Sequence, residues 1–238
     1  MIKFFQISII YFCALFLIFS ASFADHRKYV WTYQFMTMEK GKAEFENYLT
    51  FSTPDANSFT NNTTLENQME LEVGMNDRFD FSIYQVFKQK PGSNFTFDSY
   101  KLRARYKLMN KDEFIFDPLI YAEYKGYPDF SKHKFEFKLI MAKDIENFNI
   151  SFNPIIELES VNDWKPIFLY ALGLSYEFHK LICLGIEFRG SEKGHYIAPV
   201  ISHGTPKLWI AAAPTFMLGG IRTGEPEFLF RTIIGVGI

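Results

Sequence analysis

Cysteine is scarce in this chain: two in 238 residues, Cys13 and Cys183. Cys13 lies within an apolar stretch, Phe4 to Phe19, that follows Lys3 and precedes the small-x-small tripeptide Ser22-Phe23-Ala24. Residues 1–24 therefore read as a cleaved secretory signal, and the apolar neighbours of Cys13 do not resemble a lipoprotein acylation site. Its removal leaves Cys183 alone, which excludes an intramolecular disulfide. A small exported domain with a thin core would need such staples, so the fold must be held by other means. Beyond residue 24 no apolar run approaches the roughly 18 residues of a membrane-spanning helix, and the 3.6-residue period of an amphipathic helix is missing. Charge of one sign is missing too: 25 Lys and Arg stand against 27 Asp and Glu, so no basic excess points to nucleic acid. The five histidines are scattered, so neither a metal site nor a cofactor is expected. Ser202 and His203 are adjacent and would point to opposite faces of a strand, so they cannot partner each other. No catalytic residues are expected. The remaining enzymatic reading is a barrel-embedded lipid hydrolase, which would need a Ser–His pair oriented by a third polar group.

What the chain does have is a period of two. From Leu65 to Phe87, the residues Leu65, Met69, Leu71, Val73, Met75, Phe79, Phe81, Ile83 and Phe87 fall on one side, while Glu66, Gln68, Glu70, Glu72, Arg78, Asp80, Ser82 and Lys88 fall on the other. Successive strand side chains point to opposite faces, so the pattern describes a sheet with one apolar and one charged face. It recurs over candidate strands at 42–53, 64–75, 78–89, 95–108, 114–125, 132–144, 147–159, 166–178, 181–190, 195–203, 207–218 and 227–238. Each is long enough for a tilted membrane-spanning strand of roughly 9–11 residues. Short turns at Asn76-Asp77, Asn110–Glu113, Ile145–Asn147, His179-Lys180 and Gly204–Pro206 alternate with mostly longer connections, the asymmetry of an outer-membrane barrel. Aromatic residues gather near strand ends, as a bilayer's two interfaces select.

The expected fold is thus all-β: a single antiparallel up-and-down transmembrane β-barrel of about twelve strands over residues 42–238, behind the signal peptide 1–24. Residues 25–41 form an N-terminal lead-in, periplasmic or inserted in the lumen, that ends at a turn at Gly41. A soluble sandwich or lipocalin-like barrel would show the same alternation with its apolar face inward; strand number, aromatic placement and the charge ladders favour the membrane. Asn47, Asn67 and Gln85 are the polar exceptions on the lipid side, and five prolines (118, 154, 166, 199 and 214) fall in or near strands, where each deletes a ladder bond.

Assigned to the lumen, the charges segregate. Glu44, Glu46, Glu66, Glu70 and Glu72 form an acidic ladder, and Lys101, Arg103, Arg105 and Lys107 a basic one. Arg78, Asp80, Glu123, Lys134, Glu136, Lys138, Glu187, Arg189 and Arg231 are read as charges bridging them. Either the two ladders face each other across water and set a field that orients polar solutes, or they interlock as salt bridges and fill the interior. Twelve strands lie between the roughly eight that side chains fill and the 16–18 that leave an open channel. The functional expectation is a narrow passive channel for small solutes in the bacterial outer membrane; the alternative is a closed structural or adhesive barrel. A monomer is expected, in contact with outer-membrane lipid, the barrel-assembly machinery and small solutes, and with no nucleic acid.

Three segments carry a resemblance: Met38–Thr50, Phe97–Tyr106 and Asp117–Tyr124. Through them the chain resembles porin-like outer-membrane barrels of Gram-negative bacteria, loosely akin to those linked to phenol-degradation pathways. The resemblance implies a barrel scaffold and assigns no catalytic residue. The final Ile238 departs from the aromatic that usually ends a barrel-assembly signal.

Overall fold

A computed structural model describes residues 26–205, 207–219 and 225–238. It contains twelve strands: β1 Ala43–Thr53, β2 Thr64–Asn76, β3 Phe79–Gln89, β4 Thr96–Lys107, β5 Asp117–Gly126, β6 His133–Ile145, β7 Phe148–Glu159, β8 Pro166–His179, β9 Ile182–Ser191, β10 Gly194–Thr205, β11 Leu208–Met217 and β12 Phe228–Gly237. Each pairs antiparallel with its sequence neighbours, and β1 pairs with β12 from Glu44↔Gly237 to Thr53↔Phe228, closing the barrel. Closure leaves no free sheet edge, so the backbone is satisfied without water on the outside.

The two-residue period sorts the faces. Ile83, Leu102 and Phe152 point outward with 48 %, 39 % and 39 % of their surface exposed, whereas Glu70, Asp80, Ser82, Ser151 and Glu187 point inward and are buried. A wall of exposed leucine, isoleucine and phenylalanine around a charged interior is stable only when hydrocarbon surrounds it. Aromatic clusters mark both rims: Phe148, Tyr176 and Phe178 at the end with short turns, and Tyr124, Phe135 and Trp164 at the other. Asn47 and Asn67 satisfy each other on the lipid side. Asn67 donates to Asn47 Oδ1 at 3.1 Å and to the Tyr48 carbonyl at 3.0 Å.

The connections follow the expected asymmetry with two departures. Strand β5 begins at Asp117, so Phe114, Ile115 and Phe116 stand exposed in a loop spanning 108–116 rather than in a strand. The Asp117 carboxylate accepts from the Asp112 amide at 2.7 Å and folds that loop back on the strand. On the other rim, β9 and β10 are joined by a tight turn at Glu192-Lys193. The prolines act as the ladder chemistry requires. Pro118 and Pro166 occupy strand beginnings, while the β6–β7 ladder lapses beside Pro154. Between β10 and β11, pairing stops after Ile197↔Phe216 and resumes at Ile201↔Ala212; Pro199 and Pro214 fall opposite each other in the gap. Neither has an N–H to give the other's carbonyl.

The orientation generates a direct test. Ile83→Arg places a charge on the lipid side at mid-strand, and we expect it to lower stability by about 2–4 kcal/mol in urea unfolding from phospholipid vesicles.

Candidate functional site

The lumen is organised by cross-strand register. Glu72 stands opposite Ser82, and Ser82 opposite Arg103. Because Ser82 is short, the Arg103 guanidinium spans β3 and reaches Glu70 at 2.8 Å and Glu72 at 2.5 Å. One step along, Asp80 stands between Gly74 and Arg105, and Arg105 bonds both Asp80, at 2.6 Å, and Glu72. Arg103 also donates to the Tyr84 hydroxyl at 2.7 Å. The Tyr48 hydroxyl lies between Glu46 and Glu70 and accepts from Arg27 at 2.8 Å. The acidic and basic ladders therefore do not face each other across water; over β2–β4 they interlock. Arginine forks suit this role because one planar group can engage two carboxylates.

The other lumenal charges take individual partners. Lys88 pairs with Glu66 at 2.9 Å, Lys101 with Glu123 at 3.0 Å, Lys134 with Glu157 at 2.7 Å and Lys138 with Glu136 at 2.9 Å. Glu44 accepts from the Trp209 indole at 2.9 Å, and Lys107 lies over the Phe35 ring. Arg78 is not between the ladders: it stands in the β2–β3 turn and donates to Asn110 of the next turn at 2.6 Å, because the strand pattern runs out one residue before Phe79. Glu187, Arg189 and Arg231 do not bridge the ladders either. They contact the N-terminal segment.

Residues 26–42 turn over the short-turn rim and into the barrel. Gly41 adopts φ +74° there, with its amide donating to the Gly74 carbonyl at 2.9 Å. Any Cβ on Gly74 would collide with the Glu39 carbonyl, so glycine is required where the segment crosses β2. Inside, the segment forms no ladder. Its amides are satisfied by lumenal side chains: Met38 N donates to Asp80 at 3.0 Å, Tyr33 N to Asn153 Oδ1 at 2.6 Å, and Asn153 Nδ2 returns a bond to the Tyr33 carbonyl at 3.0 Å. The amides of Val30, Trp31 and Thr32 all converge on the Glu187 carboxylate, at 2.9, 2.9 and 2.6 Å. A buried amide without a partner is costly, so one carboxylate aimed at three successive amides fixes the apex of the loop. Tyr29 then returns toward the entry rim, its hydroxyl donating to Asn149 and its ring filling the space above Gly173.

The apex residues Trp31 and Tyr33 separate two regions. Toward the short turns the lumen is filled by the segment and the ion-pair network. Toward the longer loops a cavity of about 160 Å³ remains, lined by Trp31, Tyr33, Tyr48, Tyr121, Arg189 and Arg231 among others, with further hollows above it.

Ser202 lies against a histidine, but not His203: its Oγ is 2.9 Å from His26 Nε2. Ser202 is fully buried, and among the described residues no carboxylate hydrogen-bonds His26. That arrangement offers no access to a lipid and no oriented triad. Among the described residues no cluster of potential ligands could hold a metal ion.

Sequence reasoning passed over the tyrosines. Tyr48, Tyr84 and Tyr121 occupy charged-face positions of β1, β3 and β5, and that parity is their signal.

No protein-family model and no curated protein sequence matches the chain. Solved structures do. The COG4313 outer membrane channel from Pseudomonas putida F1 superposes with a TM-score of 0.63 at 11 % identity, over 88 % of this chain and 100 % of that one. The KdgM porin, solved with disordered oligogalacturonate, gives 0.55 at 10 % identity over 82 % of this chain and 97 % of its own. The NanC porin gives 0.53 at 9 % identity over 82 % and 98 %. The fold is that of porin-like outer-membrane barrels.

The Glu187 anchor is open to test. Glu187→Ala removes the acceptor of three amides, each bond to a charged group being worth about 1.5–3 kcal/mol. We expect tryptic cleavage at Arg27 or Lys28 in the folded barrel to accelerate about ten-fold or more, read by mass spectrometry of the released peptide.

Proposed function

We propose that the chain is a narrow passive channel for small solutes in the bacterial outer membrane, acting as a monomer, and that residues 26–38 occlude it in the conformation described. The observation that carries this reading is how the segment is attached. It is held by side chains of several strands, Asp80, Asn149, Asn153, Glu187 and Thr215, and shares no strand ladder with the wall. The barrel closes without it through β1 and β12, so its withdrawal would cost side-chain bonds and leave the wall whole. The charged surface thereby uncovered, with Glu187, Asp80 and Asn153 facing water, would suit polar solutes.

A second reading is a permanently closed structural barrel, favoured by the buried Arg103–Glu70–Glu72–Arg105–Asp80 network. Breaking such a network by removing one partner costs about 3–5 kcal/mol, so those side chains would not move aside to let solute pass.

Planar-bilayer recording separates the two. We expect the full chain to conduct weakly or intermittently, and a variant lacking residues 26–38 to show persistent conductance steps. A deleted chain that still shifts on gels when unboiled, and so is folded, yet carries no current would defeat the channel reading in favour of the closed barrel.

A further inference from the structure

Two lumenal cations lack the carboxylate that every neighbour has. Arg27, Arg103, Arg105, Lys88, Lys101, Lys134 and Lys138 each have an acid within ion-pairing distance. Arg189 and Arg231 have none among the described residues. Register explains why. Arg231 stands between Thr50 on β1 and Ala213 on β11, and Arg189 between Tyr196 on β10 and Ala171 on β8. Neither immediately flanking strand offers an acid at that height, and Glu66, one strand beyond Thr50 in the row of Arg231, is taken by Lys88 at 2.9 Å.

Both arginines instead rest on the apex of the N-terminal segment. Their guanidinium carbons lie 4.2 and 4.4 Å from the Trp31 ring centroid, while the indole N–H is tied to Thr215 Oγ1 at 2.9 Å. Arg231 is also 4.9 Å from the Tyr48 ring. Ring faces attract cations, but they accept none of a guanidinium's five directed N–H bonds. Arg231 Nε is buried and has no hydrogen-bond partner. Trp31, Arg189 and Arg231 line both the 160 Å³ cavity and a neighbouring one of about 270 Å³ that also carries Thr50, Thr64 and the Glu66–Lys88 ion pair. An arginine cannot shed its charge to relieve this. What is missing among the described residues is an acceptor, and a solute can supply it.

We propose that Arg189 and Arg231, held by Trp31, form a binding site for the oxyanion head of a small solute, a carboxylate or a phosphate, at the floor of the vestibule facing the long loops. Planar forks match both groups through paired N–H bonds, which a lysine at either position would not. Glu123, Glu136 and Glu157 line the same cavity but are each occupied by a lysine. They set a limit on how much negative charge the solute can bring, which favours a single anionic group on a small body. The site deepens the channel reading by naming the class of solute, yet binding can be measured without any current flowing.

The test is calorimetric titration of the full chain, folded in detergent at constant chloride, with sodium benzoate and with inorganic phosphate as separate probes. Saturable binding of at least one is expected. Arg189→Gln and Arg231→Gln should each weaken it about ten-fold or more, and the double variant should abolish it. Arg231→Lys, which keeps the charge and loses the fork, should also weaken it. Absence of saturable heat from both probes, or binding unchanged in the double variant, would overturn the proposal. If the double variant does not show the gel shift of a folded barrel, Arg231→Lys decides alone. Absence of anion binding by the unaltered chain, with conduction intact, refutes the site and spares the channel; saturable binding by a barrel that never conducts refutes the channel and spares the site.

Discussion

Closure of the backbone ladder is the constraint on which the rest of this protein depends. In hydrocarbon each unpaired N–H or C=O costs several kcal/mol, and the β1–β12 pairing removes the only edges the meander would otherwise present. Once the wall is closed, the period of two does the sorting: apolar side chains meet lipid, and every charge on the other parity is committed to the interior. A lumen of twelve strands lies between the width that side chains fill and that of a wide aqueous channel. The chain meets that intermediate width with two fillings, an interlocked set of charges over β2–β4 and its own residues 26–38.

The two fillings differ in kind. The Arg103 and Arg105 network joins residues of adjacent strands whose relative positions the ladder already dictates, so it is as permanent as the wall. The N-terminal segment has no such support. Its amides meet Asp80, Asn153 and Glu187, which belong to three separate strands, and each bond can be exchanged for one to water without disturbing a ladder bond of the wall. The wall determines where the segment sits, but the segment does not determine the wall. Only the second filling is therefore suited to come and go.

Much of this was legible in the sequence, and the part that was not has physical causes. Strand number, orientation and most boundaries follow from the two-residue period, which is a local property. The loop 108–116 was misread because Phe114 and Phe116 continue the alternation past the point where Asp117 draws the chain back. The like-charged run Lys101 to Lys107 announced its own need for counterions. Which acids would supply them depended on Ser82 being short enough to reach across, a fact of register rather than of composition. Residues 29–35 alternate as a strand would, with Tyr29, Trp31, Tyr33 and Phe35 on one parity. They form none, because no free edge remains to pair with. Glu187 reads as one more lumenal acid; nothing nearby in sequence reveals that it collects three amides from a segment more than 150 positions away.

Trp31 ties the two lumenal features together. It belongs to the N-terminal filling through its amide on Glu187 and to the proposed anion site through its ring beneath Arg189 and Arg231. Moving the segment out of the lumen would take the ring away from both guanidiniums, which would then gain freedom and lose their alignment. If both proposals hold, binding at the arginines and position of the segment are linked equilibria. An anion that binds the aligned forks more tightly stabilises the occluded barrel by the ratio of its two affinities, and one that prefers the released forks opens it by the same rule. In this barrel the solute that occupies the vestibule would also set how often the path beyond it is clear.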